Sequence, residues 1–123
     1  MKNDAVIDAL RKASKGLRYT SETEAALTPF VWDNGGELTP ERLRRQAGAA
    51  ASTPVKETTL ESFFRAVPSE DKPRFQKLAQ VLKEQLSDIK VYKLGEEAEM
   101  EVYIVGKTAD NRWAGLKTTV VET

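Results

Sequence analysis

From Ile89 onward the sequence changes period, and that change limits the folds open to this chain more than any other feature. Ala98, Met100, Val102 and Ile104 alternate with Glu97, Glu99, Glu101 and Tyr103. Further on, Ala114, Leu116, Thr118 and Val120 take one parity and Trp113, Lys117, Thr119 and Val121 the other. Successive side chains of a strand point to opposite faces, so a period of two marks strands. The breaks are short, Gly95-Glu96 and then Gly106 to Asn111, and leave the runs Ile89 to Leu94, Glu97 to Val105 and Arg112 to Val121. Connections of that length join antiparallel neighbours, so the expected unit is a three-stranded meander. The final run stays apolar and β-branched almost to Thr123. Untethered ends fray, so this end is held by a sheet or kept for a partner, and Glu122-Thr123 is expected to project from the sheet's edge.

The segments before Ile89 are mostly helical. Asn3 or Asp4 can cap a helix with Val6, Ile7, Leu10 and Ala13 at helical spacing, ended by Gly16. Leu17 to Thr20 leads into a polar connection, Ser21-Glu22-Thr23-Glu24, and then the apolar run Leu27 to Trp32. Pro29 removes a donor, which makes this run an edge strand or a strand entered at the proline. Asp33 to Gly36 reads as a turn, and Thr39-Pro40 as the cap and first position of a helix through about Gln46. Ala47 to Pro54 reads as a surface loop and Val55 to Glu57 as a brief strand. Thr58 and Glu61 have capping-box spacing for a short helix ending near Pro68. Ser69 to Pro73 opens the best helix, striped by Phe75, Leu78, Ala79, Leu82 and Leu86. Both faces of the last strand are partly apolar, so helices are expected on both sides of the sheet. The class is α+β, an α/β/α sandwich around an antiparallel sheet, in one domain over residues 1–123.

Composition excludes several functions. The chain has neither cysteine nor histidine, which removes thiol nucleophiles, Ser-His-Asp arrangements, most zinc sites and the commonest general base near neutrality. Catalysis is therefore disfavoured, and no cofactor is expected. The 19 acidic and 19 basic residues cancel, unlike the basic excess of a nucleic-acid binder. No signal peptide or membrane span is visible, so the expected location is cytoplasmic.

Three clusters invite functional readings. Glu96, Glu97, Glu99 and Glu101 resemble paired carboxylates, but a solvated sheet face with Lys90, Lys93 and Lys117 as cross-strand partners explains them better. Arg42, Arg44 and Arg45 offer a phosphate contact for a nucleic-acid-associated regulatory module, against the simpler reading of a solvated helix face. Ser21 to Glu24 is equally well an N-cap or turn or the start of a binding loop.

Taken in order, the segments Ala13-Ser14-Lys15-Gly16-Leu17, Ser21-Glu22-Thr23-Glu24, Pro29-Phe30-Val31-Trp32 and Phe75-Gln76-Lys77-Leu78 lead to Val91-Tyr92-Lys93-Leu94-Gly95-Glu96. Val102-Tyr103-Ile104-Val105-Gly106 and Val120-Val121-Glu122-Thr123 complete the series. The whole resembles the nuclease A inhibitor family, end to end and at similar spacing. These proteins inhibit a sugar-nonspecific, magnesium-dependent nuclease that cuts DNA and RNA.

The resemblance implies an α/β/α sandwich that is monomeric when free and plugs the nuclease active site in a one-to-one complex, without binding nucleic acid or membrane itself. The family's active-site glutamate falls on Glu22, with Glu24 beside it, and its C-terminal threonine falls on Thr123, preceded by Glu122. A carboxylate can replace a phosphate among arginines, and the oxygens of a terminal threonine suit the partner's magnesium. Metal contact by Thr123 would thus occur only in the complex. The chain departs from the family pattern at Arg65 to Arg74, which is shorter than the family's acidic, aromatic-containing segment and has no Trp or Tyr.

Overall fold

The computed structural model describes residues 2–20, 24–32, 39–50, 52–65, 67, 69–95, 99–109 and 112–121. The sequence alternation becomes three strands, β5 (Ser87–Leu94), β6 (Glu99–Lys107) and β7 (Trp113–Val121), paired antiparallel in that order. Two shorter strands, β3 (Thr28–Trp32) and β4 (Val55–Thr58), extend this meander to the five-stranded order β3-β7-β6-β5-β4. The run with Pro29 is an edge strand, where a missing N–H costs no ladder bond. The run bearing the chain's end is not at the edge. β7 lies between β3 and β6, with Thr28 to Trp32 facing Lys117 to Trp113 on one side and β6 running the full length of the other.

Helices cover both faces, as the apolar character of both parities of β7 requires. On one face, α1 (Lys2–Ser14), α3 (Leu60–Arg65) and α4 (Lys72–Gln85) pack Leu10, Phe63, Phe75, Leu78 and Leu82 onto Val91, Val102, Ile104, Leu116 and Val120. On the other, α2 (Pro40–Ala47) sets the fully buried Leu43 against Tyr92, Leu94, Tyr103, Val105 and Trp113. The result is an α/β/α sandwich with one thick helical layer and, among the described residues, one made by a single helix.

Local signals explain most helix ends. Thr39 Oγ1 accepts the Arg42 N–H at 3.2 Å, Pro40 follows at the first turn, and Gly48 closes α2 in the left-handed region. The cap of α3 is Thr59, whose Oγ1 accepts the Ser62 N–H at 3.1 Å, not the expected Thr58, which belongs to β4. That helix ends at Arg65. Asn3 and Asp4 lie within α1, which already includes Lys2. A 3-10 turn, Ser69–Asp71, leads into α4, and Leu86 follows the helix in extended conformation while remaining buried. Ala49, expected on a bare surface loop, packs with Ala47 against the second core cluster.

Two strand readings are corrected. Leu17 to Thr20 is not merely a lead-in: β1 (Arg18–Thr20) and β2 (Glu24–Ala26) form a two-stranded hairpin, and Leu27 separates β2 from β3. Gly106 is no break either, because it lies inside β6 opposite Ala114. A Cβ there would stand 2.8 Å from Leu86 Cβ and 3.0 Å from Ser87 O. Gly106 thus admits the close passage of the α4–β5 connection, where a bulge shifts the register between Ser87 and Lys90. Gly106→Ala is expected to cost about 1–3 kcal/mol by overpacking, read as a lower denaturation midpoint with an unchanged slope. The turn at Asp33 to Gly36 and the residues Pro68, Glu96, Glu97, Ala98 and Asn111 lie outside the described residues.

Candidate functional site

Of the four residues singled out for nuclease binding, Glu22, Glu122 and Thr123 lie outside the described residues, and Glu24 is described through its backbone, which opens β2 opposite Thr20. What can be built from the residues upward is the scaffold on either side of them.

The hairpin is short, three residues per strand, and would be marginal alone. Tyr19 fixes it to the helical layer. Its ring stacks on Phe63 with centroids 4.1 Å apart and planes 3° from parallel, and meets Phe75 edge-on at 6.3 Å. Its hydroxyl donates to the Phe63 carbonyl at 2.8 Å, so the one polar atom of a side chain only 5% exposed is satisfied. Leu17 and Leu27, buried just outside the two strands, hold the hairpin's entry and exit in the same core.

The hairpin also leans on β7. The β3–β7 ladder stops at Thr28 opposite Lys117, and β2, which precedes β3, also contacts β7. Thr118 Oγ1 donates to the Ala25 carbonyl at 3.4 Å. Beyond Lys117, β7 is still laddered to β6, through Thr118 with Val102 to Val121 with Glu99. The described ends of hairpin and terminal strand are thus fastened to one another and to the sheet. Tyr19 was not singled out in the sequence, although Leu17-Arg18-Tyr19-Thr20 alternates in the way a short half-buried strand does.

In the other two candidate clusters, Glu101 and Arg44 are engaged by the scaffold. Glu101 meets Lys117 Nζ at 3.5 Å and accepts the Tyr103 hydroxyl at 3.1 Å. This is the solvated-face reading with a lysine partner, worth about 0–1 kcal/mol for so exposed a pair. Burial and then the Glu101 charge push the Tyr103 phenol far above its ordinary value, and burial with Glu57 raises Tyr92. For an acid whose folded value is raised, the folded state favours the neutral form. Its contribution is complete below the unfolded value of about 10 and is lost as pH rises toward the folded one. Stability is therefore expected to fall above pH ~10, and Glu101→Gln to lower the Tyr103 midpoint in a spectroscopic phenol titration. An unmoved midpoint would contradict the coupling.

Arg44 is similarly committed, its Nε donating to the Thr53 carbonyl at 2.6 Å, which pins the loop after α2 and separates Arg44 from the exposed Arg45. Among the described residues no group of three His, Cys, Asp or Glu side chains could hold a metal ion, and no helix is long and apolar enough to cross a membrane.

Against known proteins, the family model described as nuclease A inhibitor-like protein matches residues 4–123. No curated protein matches the chain. The match runs from the first turn of α1 through β7 and agrees with the resemblance carried by the separate segments. The chain belongs to the nuclease A inhibitor-like protein family.

Proposed function

We infer that this protein is an inhibitor of a sugar-nonspecific, magnesium-dependent endonuclease of DNA and RNA, acting by occupying its active site in a one-to-one complex. The observation that carries the reading is the family match over residues 4–123. The protein itself performs no catalysis, needs no cofactor, is monomeric when free and acts in the cytoplasm.

The proposed mechanism is substrate mimicry. Glu22, which falls between β1 and β2 in the sequence, offers its carboxylate where the nuclease binds the scissile phosphate, and arginines there donate paired charge-assisted hydrogen bonds. Thr123, with its hydroxyl and the chain's terminal carboxylate, supplies hard oxygens to the nuclease's magnesium, directly or through its waters. Glu24 and Glu122 add negative charge on either side. The packing of the hairpin against the C-terminal half of β7 supports this pairing, since the two segments that lead to Glu22 and Thr123 are bound to each other through Thr118 and Ala25. Such fastening removes conformational freedom before binding, and preorganisation of this kind raises affinity.

A modification of the carboxyl end tests the reading. A short polar extension after Thr123 converts the terminal carboxylate to an amide, and inhibition is expected to weaken at least tenfold relative to the same extension placed before Met1. Equal inhibition by both would remove Thr123 from the mechanism.

A further inference from the structure

Thr118 is out of place by residue type. It lies on the face of β7 turned to the thick helical layer, between Leu116 and Val120 and opposite Val102, and is itself only 3% exposed. A hydroxyl in such apolar surroundings costs free energy unless it is hydrogen-bonded, and valine offers the same shape without that cost. The bond it makes, 3.4 Å to the Ala25 carbonyl, is long and so no large source of stability. Stability does not account for a threonine here, and the identity of the acceptor suggests another role.

Ala25 is the register partner of Tyr19 across the β1–β2 hairpin. Both strands of the hairpin are therefore tied down at one rung, to different parts of the molecule. Tyr19 is held by α3, through the stack on Phe63 and the bond to its carbonyl, and Ala25 is held by β7. A single anchor leaves a three-residue hairpin free to pivot about that rung. A second anchor on the opposite strand fixes its angle, here against the strand that leads to the chain's end. β7 is itself held at that point, because Thr118 is laddered to Val102 of the central strand β6.

Ala25 follows Glu22 by three residues, and Thr118 precedes Thr123 by five. We propose that Thr118 is a positioning residue, whose hydroxyl sets the angle of the hairpin to β7 and through it the separation of Glu22 and Thr123. Its purpose rests on the nuclease reading, whereas the clamp itself does not. An active site that receives one carboxylate in its phosphate pocket and a second set of oxygens at its metal engages both only when their spacing is set in advance.

The variants are Thr118→Val, which keeps the shape and removes the hydroxyl, and Thr118→Ser, which keeps the hydroxyl. Ala25 is half-buried, so water takes over its carbonyl in Thr118→Val, and the melting temperature is expected to hold. Amide hydrogen exchange in residues 18–20 and 24–26 should quicken at least threefold while that of β6 stays unchanged, and the inhibition constant against a purified magnesium-dependent nonspecific nuclease should rise at least threefold. Thr118→Ser should restore both. With Thr123 removed, Thr118→Val should raise the inhibition constant no further, since one of the two groups to be spaced is gone. A residue that served stability alone would instead weaken inhibition in step with the melting temperature, with or without Thr123. Unchanged exchange in the hairpin of Thr118→Val, failure of Thr118→Ser to restore it, or an equal effect on inhibition in the two backgrounds would overturn the proposal. The exchange measurement needs no nuclease, so it decides the clamp separately from the nuclease reading, which fails if the unmodified protein does not inhibit.

Discussion

Glu22→Ala, or removal of Thr123, is expected to weaken inhibition of a magnesium-dependent nonspecific nuclease by about 2–5 kcal/mol, the range for taking one partner from a desolvated charged contact. The size follows from what is left behind. Without the Glu22 carboxylate, arginines built to hold a phosphate are covered by the inhibitor with nothing to pair with, and the cost is that of buried, uncompensated charge. Without Thr123, the open positions of the magnesium return to water inside a closed interface. Neither residue belongs to the described core, so melting temperatures are expected to match the unmodified protein. Inhibition constants together with thermal melts distinguish this from a folding effect. A variant that melts normally and inhibits normally would remove that residue from the mechanism.

Tyr19→Ala is expected to lower stability by about 3–5 kcal/mol, the usual cost of truncating a buried aromatic. Two ring contacts, with Phe63 and Phe75, disappear together with the bond that satisfies the Phe63 carbonyl. Tyr19→Phe keeps the stack and loses the hydrogen bond, and should cost about 1 kcal/mol. The pair of variants ties stability to function. Tyr19→Ala frees the hairpin that carries Ser21 to Glu24, so under conditions where the variant is still folded, inhibition should fall as well. Tyr19→Phe should inhibit almost normally. Denaturant midpoints and inhibition constants measured at one temperature would show it. A Tyr19→Ala protein with less than about 1 kcal/mol of lost stability would contradict the anchoring role, given what truncated aromatics cost.

Much of the fold was legible because burial on two faces leaves a strong trace. The alternation through β6 and β7, the stripe on α4 and the Thr39-Pro40 start of α2 each state their structure in residue type and spacing. The proline run declared itself an edge strand for the same kind of reason, a missing donor. Where reading failed, one local signal had two physical causes. Gly106 looked like a turn, yet it is glycine because another backbone and Leu86 pass within about 3 Å of where a Cβ would lie. Thr58 and Thr59 are adjacent possible caps, and strand pairing of Thr58 with Val91 decides between them. The β1–β2 hairpin is three residues deep, too short for periodicity to rise above its polar surroundings. Its stability comes from Tyr19 reaching a helix 44 residues away, which no local pattern encodes. For the site, spacing by itself left Ser21 to Glu24 no more than a turn. Only the resemblance carried by the ordered series of segments proposes a shared role for Glu22 and Thr123, and the family match supports a nuclease as partner without testing those two residues.

The most direct test is a stoichiometric titration of this protein into a purified magnesium-dependent, sugar-nonspecific nuclease held well above the expected dissociation constant, with DNA and then RNA hydrolysis as the readout. Activity on both substrates should fall linearly and reach zero at one inhibitor per nuclease, since a plugged active site serves neither. Full activity on either substrate in the presence of a molar excess would contradict inhibition by occupation of the active site.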